Sequence, residues 1–245
     1  MQRFRLSRRH LLGMIRAIAA ASLVGCIGRK ADGDAIAQTT TQTTSQTVNQ
    51  PGCIVRPQQT EGPYFVDERL NRSDIRSNPA DGTVKEGVPL RLVFQVSQVG
   101  ASACTPLSDA TVDVWHCDAQ GVYSDVQDRA ADTRGQQFLR GYQVTNANGG
   151  AEFLTIYPGW YPGRTTHIHF KIRTAAGYEF TSQLYFDDAV SDRVYTQAPY
   201  STKGQRNQTN AQDGIFRNGG DRLLLTLTEG ENGYVGRFEI GLEMA

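Results

Sequence analysis

The sequence predicts an all-β sandwich of about eight strands, and three observations carry that prediction. Apolar residues alternate with a period near two from Leu90 onward. Glycine-rich turn signals separate the alternating runs. No stretch reads as an amphipathic helix of three turns, and no internal repeat is visible.

The runs lie at 90–96, 111–115, 141–145, 151–156, 166–173, 180–186, 223–227 and 234–242. Between them stand Asn148-Gly149-Gly150, Ala175-Ala176-Gly177, Asn218-Gly219-Gly220 and Asn232-Gly233, residue types that favour tight turns. Residues 187–218 are long and polar, which predicts turns and a short helix capping the sandwich.

The 245 residues suffice for one sizeable core. The first 25 residues hold five Arg and no acid, leaving 20 basic against 25 acidic side chains in the rest. A mildly acidic body argues against nucleic acid as a partner.

Residues 1–25 read as an export signal. Arg3, Arg5, Arg8 and Arg9 form a basic head, and an apolar stretch interrupted by Arg16 follows. That stretch is too short and too charged to span a membrane. Ser7-Arg8-Arg9-His10-Leu11-Leu12 resembles a twin-arginine signal, and Leu23-Val24-Gly25-Cys26 a bacterial lipobox. The expectation is an exported periplasmic protein or envelope lipoprotein, with a possible membrane tether through a lipidated Cys26. The plain alternative is an ordinary cleaved signal that removes Cys26. Residues 26–52 include the tract QTTTQTTSQTVNQ, whose composition predicts a flexible linker. The folded domain is then 53–245. An oxidising compartment permits a disulfide, and the loop-like settings of Cys53 and Cys104 favour that pair. Cys117 reads as a buried free thiol or as a partner.

His167 and His169 lie two apart within a predicted strand, so both imidazoles point to one face. A metal site and a pair of ordinary packed histidines both fit this spacing. No acid follows at the spacing of a two-His-one-carboxylate ferrous site, and no Cys pair stands at zinc spacing. Tyrosines are near instead: Tyr123, Tyr157, Tyr161 and Tyr178. A phenolate is a hard anionic donor that favours ferric iron. His116 alternates with Trp115, so its ring points to the other face.

Five segments in order resemble the intradiol ring-cleavage dioxygenases. They are TEGPY at 60–64, DVWHCDAQGVY at 113–123, YPGWYP at 157–162, RTTHIHF at 164–170 and TSQLYF at 181–186. The match is nearer the short, secreted branch of that family than the two-subunit protocatechuate enzymes. The resemblance implies a prealbumin-like sandwich and an Fe(III) ion held by Tyr123, Tyr161, His167 and His169. It implies that Arg164 lies over a catechol substrate and that Gln183 lines the same pocket. Trp115 would be a wall residue near the iron or a plain core aromatic, and Tyr157 and Tyr178 fall on no ligand position. The implied reaction uses O2 to split the ring between its hydroxyl-bearing carbons, giving a cis,cis-muconate, with Tyr161 as the departing tyrosinate.

Two departures bear on the substrate. Only Pro162-Gly163 separates Tyr161 from Arg164, and Gly163 stands where protocatechuate enzymes carry a Trp. That side of the pocket should be more open. Residues that would hold the protocatechuate carboxylate find no match. Two other readings are an exported catechol- or siderophore-binding sandwich without turnover, and a transthyretin-like structural domain without metal.

Overall fold

Strand β1 (Pro89–Val99) buries Leu90, Leu92, Phe94 and Val96 on one face, as its alternation predicts. The computed structural model describes residues 54–101, 103–128 and 131–244. The expected signal and linker lie outside them, and so does Cys53. β1 is flanked by β2 (Cys104–Pro106) and β5 (Gly150–Ile156), both antiparallel, and by β9 (Gly233–Leu242), which runs parallel to it. β8 (Thr226–Gly230) closes the far edge against β9. The second sheet has the order β4 (Arg140–Val144), β3 (Thr111–Trp115), β6 (His167–Arg173), β7 (Glu179–Tyr185), all antiparallel neighbours. The protein is therefore an all-β sandwich.

The core sits between the sheets. Phe94, Phe153 and Phe238 come from the first sheet and Phe170 from the second. Their rings lie 5.4–6.1 Å apart in tilted or edge-on pairs: Phe170–Phe238 at 5.4 Å and Phe94–Phe153 at 6.1 Å set the limits. Ile168 and Ile172 bury beside Phe170, so the odd-numbered residues of β6 face away from this core. His167, His169 and Lys171 are buried as well, beneath a second cluster built on Trp115, Cys117 and Tyr123, while Arg173 at the strand end is part-exposed.

One strand expectation needs correction, and one strand was not expected. The leucine run does not form a strand at 223–227. Gly220–Leu223 is a 3-10 turn, Leu224 bridges to Tyr185, and the ladder with β9 begins at Thr226. Buried Leu223 and Leu225 serve the core, and that burial produced the apolar run without a strand. The three-residue β2 is too short to leave a periodic signal. Residues 187–218 do cap the sandwich, with helix α1 (Asp188–Val194) and 3-10 turns at Tyr200–Lys203 and Asn210–Gln212. Cys104 is disulfide-bonded. Cys117 is a buried free thiol, which resolves its two readings. Among the described residues, no helix is long and apolar enough to cross a membrane.

His116 points away from Trp115's face, as expected, and is fully buried. Its Nδ1 donates to the Cys117 carbonyl at 2.8 Å, so its Nε2 accepts from Thr155 Oγ1 at 2.7 Å. Burial pushes its pKa down to about 4, against the pull of the Cys117 carbonyl and Asp118. The unfolded imidazole protonates near pH 6.5, so the stability that neutral His116 contributes is present above that pH and is lost as pH falls toward 4. His116→Gln should therefore flatten the acid limb. Urea unfolding between roughly pH 6 and 4.5 should show a slope smaller by about 1.4 kcal/mol per pH unit, equivalent to one proton. Equal slopes would show that His116 is not a buried neutral group.

Candidate active site

The ladder registers set the first part of the site. Trp115 on β3 pairs with His169 on β6, which pairs with Gln183 on β7. Directly opposed residues share a face. Trp115 and His169 stack with ring centroids 5.0 Å apart and planes 9° from parallel. His169 Nδ1 is buried without a hydrogen-bond partner. His167 stands two residues earlier on the same face, its ring 4.8 Å from that of His169.

His167 Nδ1 donates to the Thr165 carbonyl at 2.7 Å. A carbonyl can only accept, so Nε2 carries a lone pair. Around that nitrogen lie Tyr161 Oη at 3.0 Å, Tyr123 Oη at 3.4 Å and Arg164 Nη1 at 3.4 Å.

The two tyrosines arrive on loops that interlock. Tyr123 follows the tight turn after β3, where Gly121 N–H donates to the Asp118 carbonyl and Asp118 Oδ1 accepts from Gln120 and Val122 N–H. Tyr161 lies in the β5–β6 loop. A Cβ at Gly159 would come within 2.4 Å of the Ala119 oxygen, and one at Gly121 within 2.2 Å of the Trp160 oxygen. Gly121 also has φ +76°, which an L side chain rarely adopts. These two glycines let the loop backbones touch, which holds the phenol rings 5.8 Å apart at 72°. Tyr64 stacks on Tyr123 at 4.5 Å and donates to Asp128 at 2.9 Å.

The segment carrying Tyr64 is pinned along the edge of β7. Gln59 N–H donates to the Thr181 carbonyl at 3.0 Å, Ser182 Oγ to Pro57 at 2.8 Å and Gln183 Nε2 to Thr60 at 2.9 Å. Lys171 pairs with Glu61.

Burial, and then the adjacent Tyr161, raise the Tyr123 pKa well above the ordinary phenol value. Burial raises Tyr161 too, against the pull of Arg164. Burial and Arg164 lower His167 to about 3, and burial and His167 lower His169 well below the usual imidazole value. The pocket thus offers two neutral imidazoles and two phenols that ionise only beside a strong cation. The orphaned Nδ1 of His169 and the His167 Nε2 lone pair, on which both tyrosine hydroxyls converge, fit a metal ion. Paired with phenols, they fit a hard ion of high charge. Among the described residues, no group of three His, Cys, Asp or Glu offers a competing metal site.

Arg164 leans into this cluster. Its Nε donates to Asp213 Oδ2 at 2.9 Å and its Nη2 to Gln183 Oε1 at 2.6 Å. Burial opposes its charge, but Tyr161 and Asp213 outweigh that and raise its pKa. The structure thus brings Tyr123, Tyr161, Arg164, His167, His169 and Gln183 together. His116 and Tyr157 lie elsewhere, the latter bonded to Ser191 at 2.7 Å, and Tyr178 packs on the main core. A side chain at position 163 would meet nothing within 4 Å. A groove of about 660 Å³ lined by Glu86, Arg193 and Tyr234, among others, shares no residue with the cluster. Sequence reasoning missed Asp213, and it quoted Tyr64 and Thr165 without giving them roles. Tyr64 stood in a recognised segment, while nothing local marks Asp213.

Fold and cluster together define a β-sandwich protein with a nitrogen-and-phenol donor set. A family model described as "Dioxygenase" matches residues 60–214. The intradiol ring-cleavage dioxygenase of Tetranychus urticae is similar in structure, with a TM-score of 0.68, 29% identity, and coverage of 78% of this chain and 95% of that one. The dioxygenase domain of a carbohydrate-binding fusion protein from Streptomyces sp. SirexAA-E has a TM-score of 0.55 at 30% identity, covering 78% of this chain and 99% of that domain. A chlorocatechol 1,2-dioxygenase of Cupriavidus pinatubonensis is 29% identical over 159 residues, covering 54% of this chain. The match spans only 56% of that relative's length. The chain belongs to the intradiol ring-cleavage dioxygenase family.

Metal-free protein titrated with a ferric salt should take up one ion per chain, and His169→Ala should take up none. Metal analysis after desalting checks this. Undiminished uptake by His169→Ala would remove that residue from the donor set.

Proposed function

We propose that this protein is a non-haem Fe(III) dioxygenase that cleaves a catechol between its two hydroxyl-bearing carbons with O2, giving a cis,cis-muconate-type product. The observation that carries this reading is the meeting of both tyrosine hydroxyls and the Arg164 guanidinium at the lone pair of His167 Nε2. Tyr123, Tyr161, His167 and His169 would hold the iron. When bound, a ferric ion supplies Lewis acidity toward a catecholate. The relatives named for chlorocatechol, catechol and protocatechuate support a catecholic substrate.

The chain's own groups divide the remaining work. Tyr161 is half-buried beside the open position 163, whereas Tyr123 is buried and stacked under Tyr64. Tyr161 Oη is therefore the better placed to take a proton from an incoming catechol hydroxyl. Arg164 stays cationic and presents Nη1 to the same point, where it stabilises negative charge on the substrate. Gln183 holds the guanidinium and Trp115 fixes the plane of the His169 ring.

Iron-loaded protein should be coloured by phenolate-to-iron charge transfer. It should consume O2 with catechol and place both oxygen atoms in the ring-opened product. Arg164→Gln should slow ring opening by a factor on the order of 100 with iron content unchanged. Iron-loaded protein that binds catechols but consumes no O2 would overturn this reading in favour of a binding module.

We also propose that residues 1–25 direct export by the twin-arginine route and that Cys26 is lipidated. The domain would then stand in the periplasm on the 26–52 linker. The support is the sequence pattern around Arg8-Arg9 and Leu23–Cys26. Arg8→Lys with Arg9→Lys should retain the protein in the cytoplasm, and Cys26→Ala should release it from membranes. Cell fractionation checks both, and unchanged export of the double variant would exclude the route.

A further inference from the structure

The side chain that governs Arg164 comes from the distant cap. Asp213 follows the 3-10 turn Asn210–Gln212 and is fully buried. Its carboxylate accepts four hydrogen bonds, divided between its two oxygens. Oδ1 takes the N–H groups of Ile215 at 2.7 Å and Phe216 at 3.1 Å, which serves its own turn. Oδ2 takes Arg164 Nε at 2.9 Å and the Thr165 N–H at 2.8 Å, which serves the site. A neighbouring contact ties the same two segments, since Thr165 Oγ1 donates to Asn210 Oδ1 at 2.7 Å.

A guanidinium is a flat fork, so two fixed edges determine the third. Asp213 holds the Nε edge of Arg164, and Gln183 Oε1 holds Nη2 at 2.6 Å. The remaining Nη1 is the one directed at His167 Nε2, 3.4 Å away. Asp213 is also the only carboxylate paired with Arg164 among the described residues. It therefore compensates a cation in a largely buried setting, where an unpaired charge is costly. A carboxylate needed only for its turn would have no reason to commit its second oxygen to the strand-entry segment before His167.

We infer that Asp213 is a positioning residue for ring cleavage: it sets the orientation of Arg164, and so links the 187–218 cap to the reacting centre. The inference rests on the function proposed above. Asp213→Asn separates the two roles of this side chain. The amide oxygen can still cap Ile215 and Phe216, while the amide NH2 would face two donors, Arg164 Nε and the Thr165 N–H.

The test has one reading that needs no turnover. In metal-free, nitrogen-15-labelled protein, the Arg164 Nε–H resonance is identified by its loss in Arg164→Gln. It should exchange slowly with solvent in the wild type and lose that protection in Asp213→Asn. In iron-loaded protein, Asp213→Asn should lower kcat by about 10- to 100-fold while KM changes by less than about threefold. Iron content and the visible band should persist. The double variant with Arg164→Gln should be no slower than Arg164→Gln alone, because Asp213 acts through Arg164. Arg164→Lys keeps the charge without the fork. It should be within about threefold as slow as Arg164→Gln, and it decides the matter if Asp213→Asn fails to fold. A protected resonance in Asp213→Asn, multiplicative losses in the double variant, or near-wild-type turnover by Arg164→Lys would each overturn the assignment. Wild-type protein that consumes no O2 would instead defeat the proposed function, leaving Asp213 to be judged on the resonance.

Discussion

The antiparallel register of β3, β6 and β7 aligns Trp115, His169 and Gln183 in one row across the second sheet. Side chains alternate strictly along a strand, so a slip of one residue in β6 would exchange its faces. His167, His169 and Lys171 would enter the core, and Ile168, Phe170 and Ile172 would leave it. The hydrophobic effect forbids this, because the latter three bury fully against the aromatic cluster around Phe94. Core packing between the sheets thus positions two imidazoles on the opposite face without any bond to them.

What lies over that face is polar and aromatic, and its loops are tied down by backbone contact and hydrogen bonds. The loops bearing Tyr123 and Tyr161 touch through backbone at Gly121 and Gly159, where no side chain fits. The 57–64 segment is held by Ser182, Gln183 and Lys171 from the sheet below. The rings are therefore positioned by backbone contact and hydrogen bonds, which suits a site whose donors must meet at one point.

Charge in this region is economical. Two histidines and two tyrosines are neutral in the metal-free protein because burial disfavours their charged forms. The Arg164 cation is answered by Asp213, itself held ionised because the Thr165 N–H and Arg164 outweigh its desolvation. The metal-free site thus combines neutral donors with a directed, carboxylate-paired cation.

The strand pattern, the outward pairing of His167 with His169 and the opposite orientation of His116 are all legible in the sequence, because a period of two is a local property of the extended backbone. Tyr123 and Tyr161 were legible only through the ordered segments of a known family, since no local rule brings residues 38 positions apart to one imidazole. The apolar residues at 223–225 misled, because burial in a 3-10 turn and burial in a strand leave the same composition. Asp213 carried no signal at all. Its neighbours in the chain form a polar cap, and its partner stands 49 residues away. By itself, then, the sequence determined which faces the strands present, through alternation. Which distant loops close over those faces, and which carboxylate meets Arg164, was decided by tertiary packing, because contacts between remote segments depend on where the whole chain is folded back.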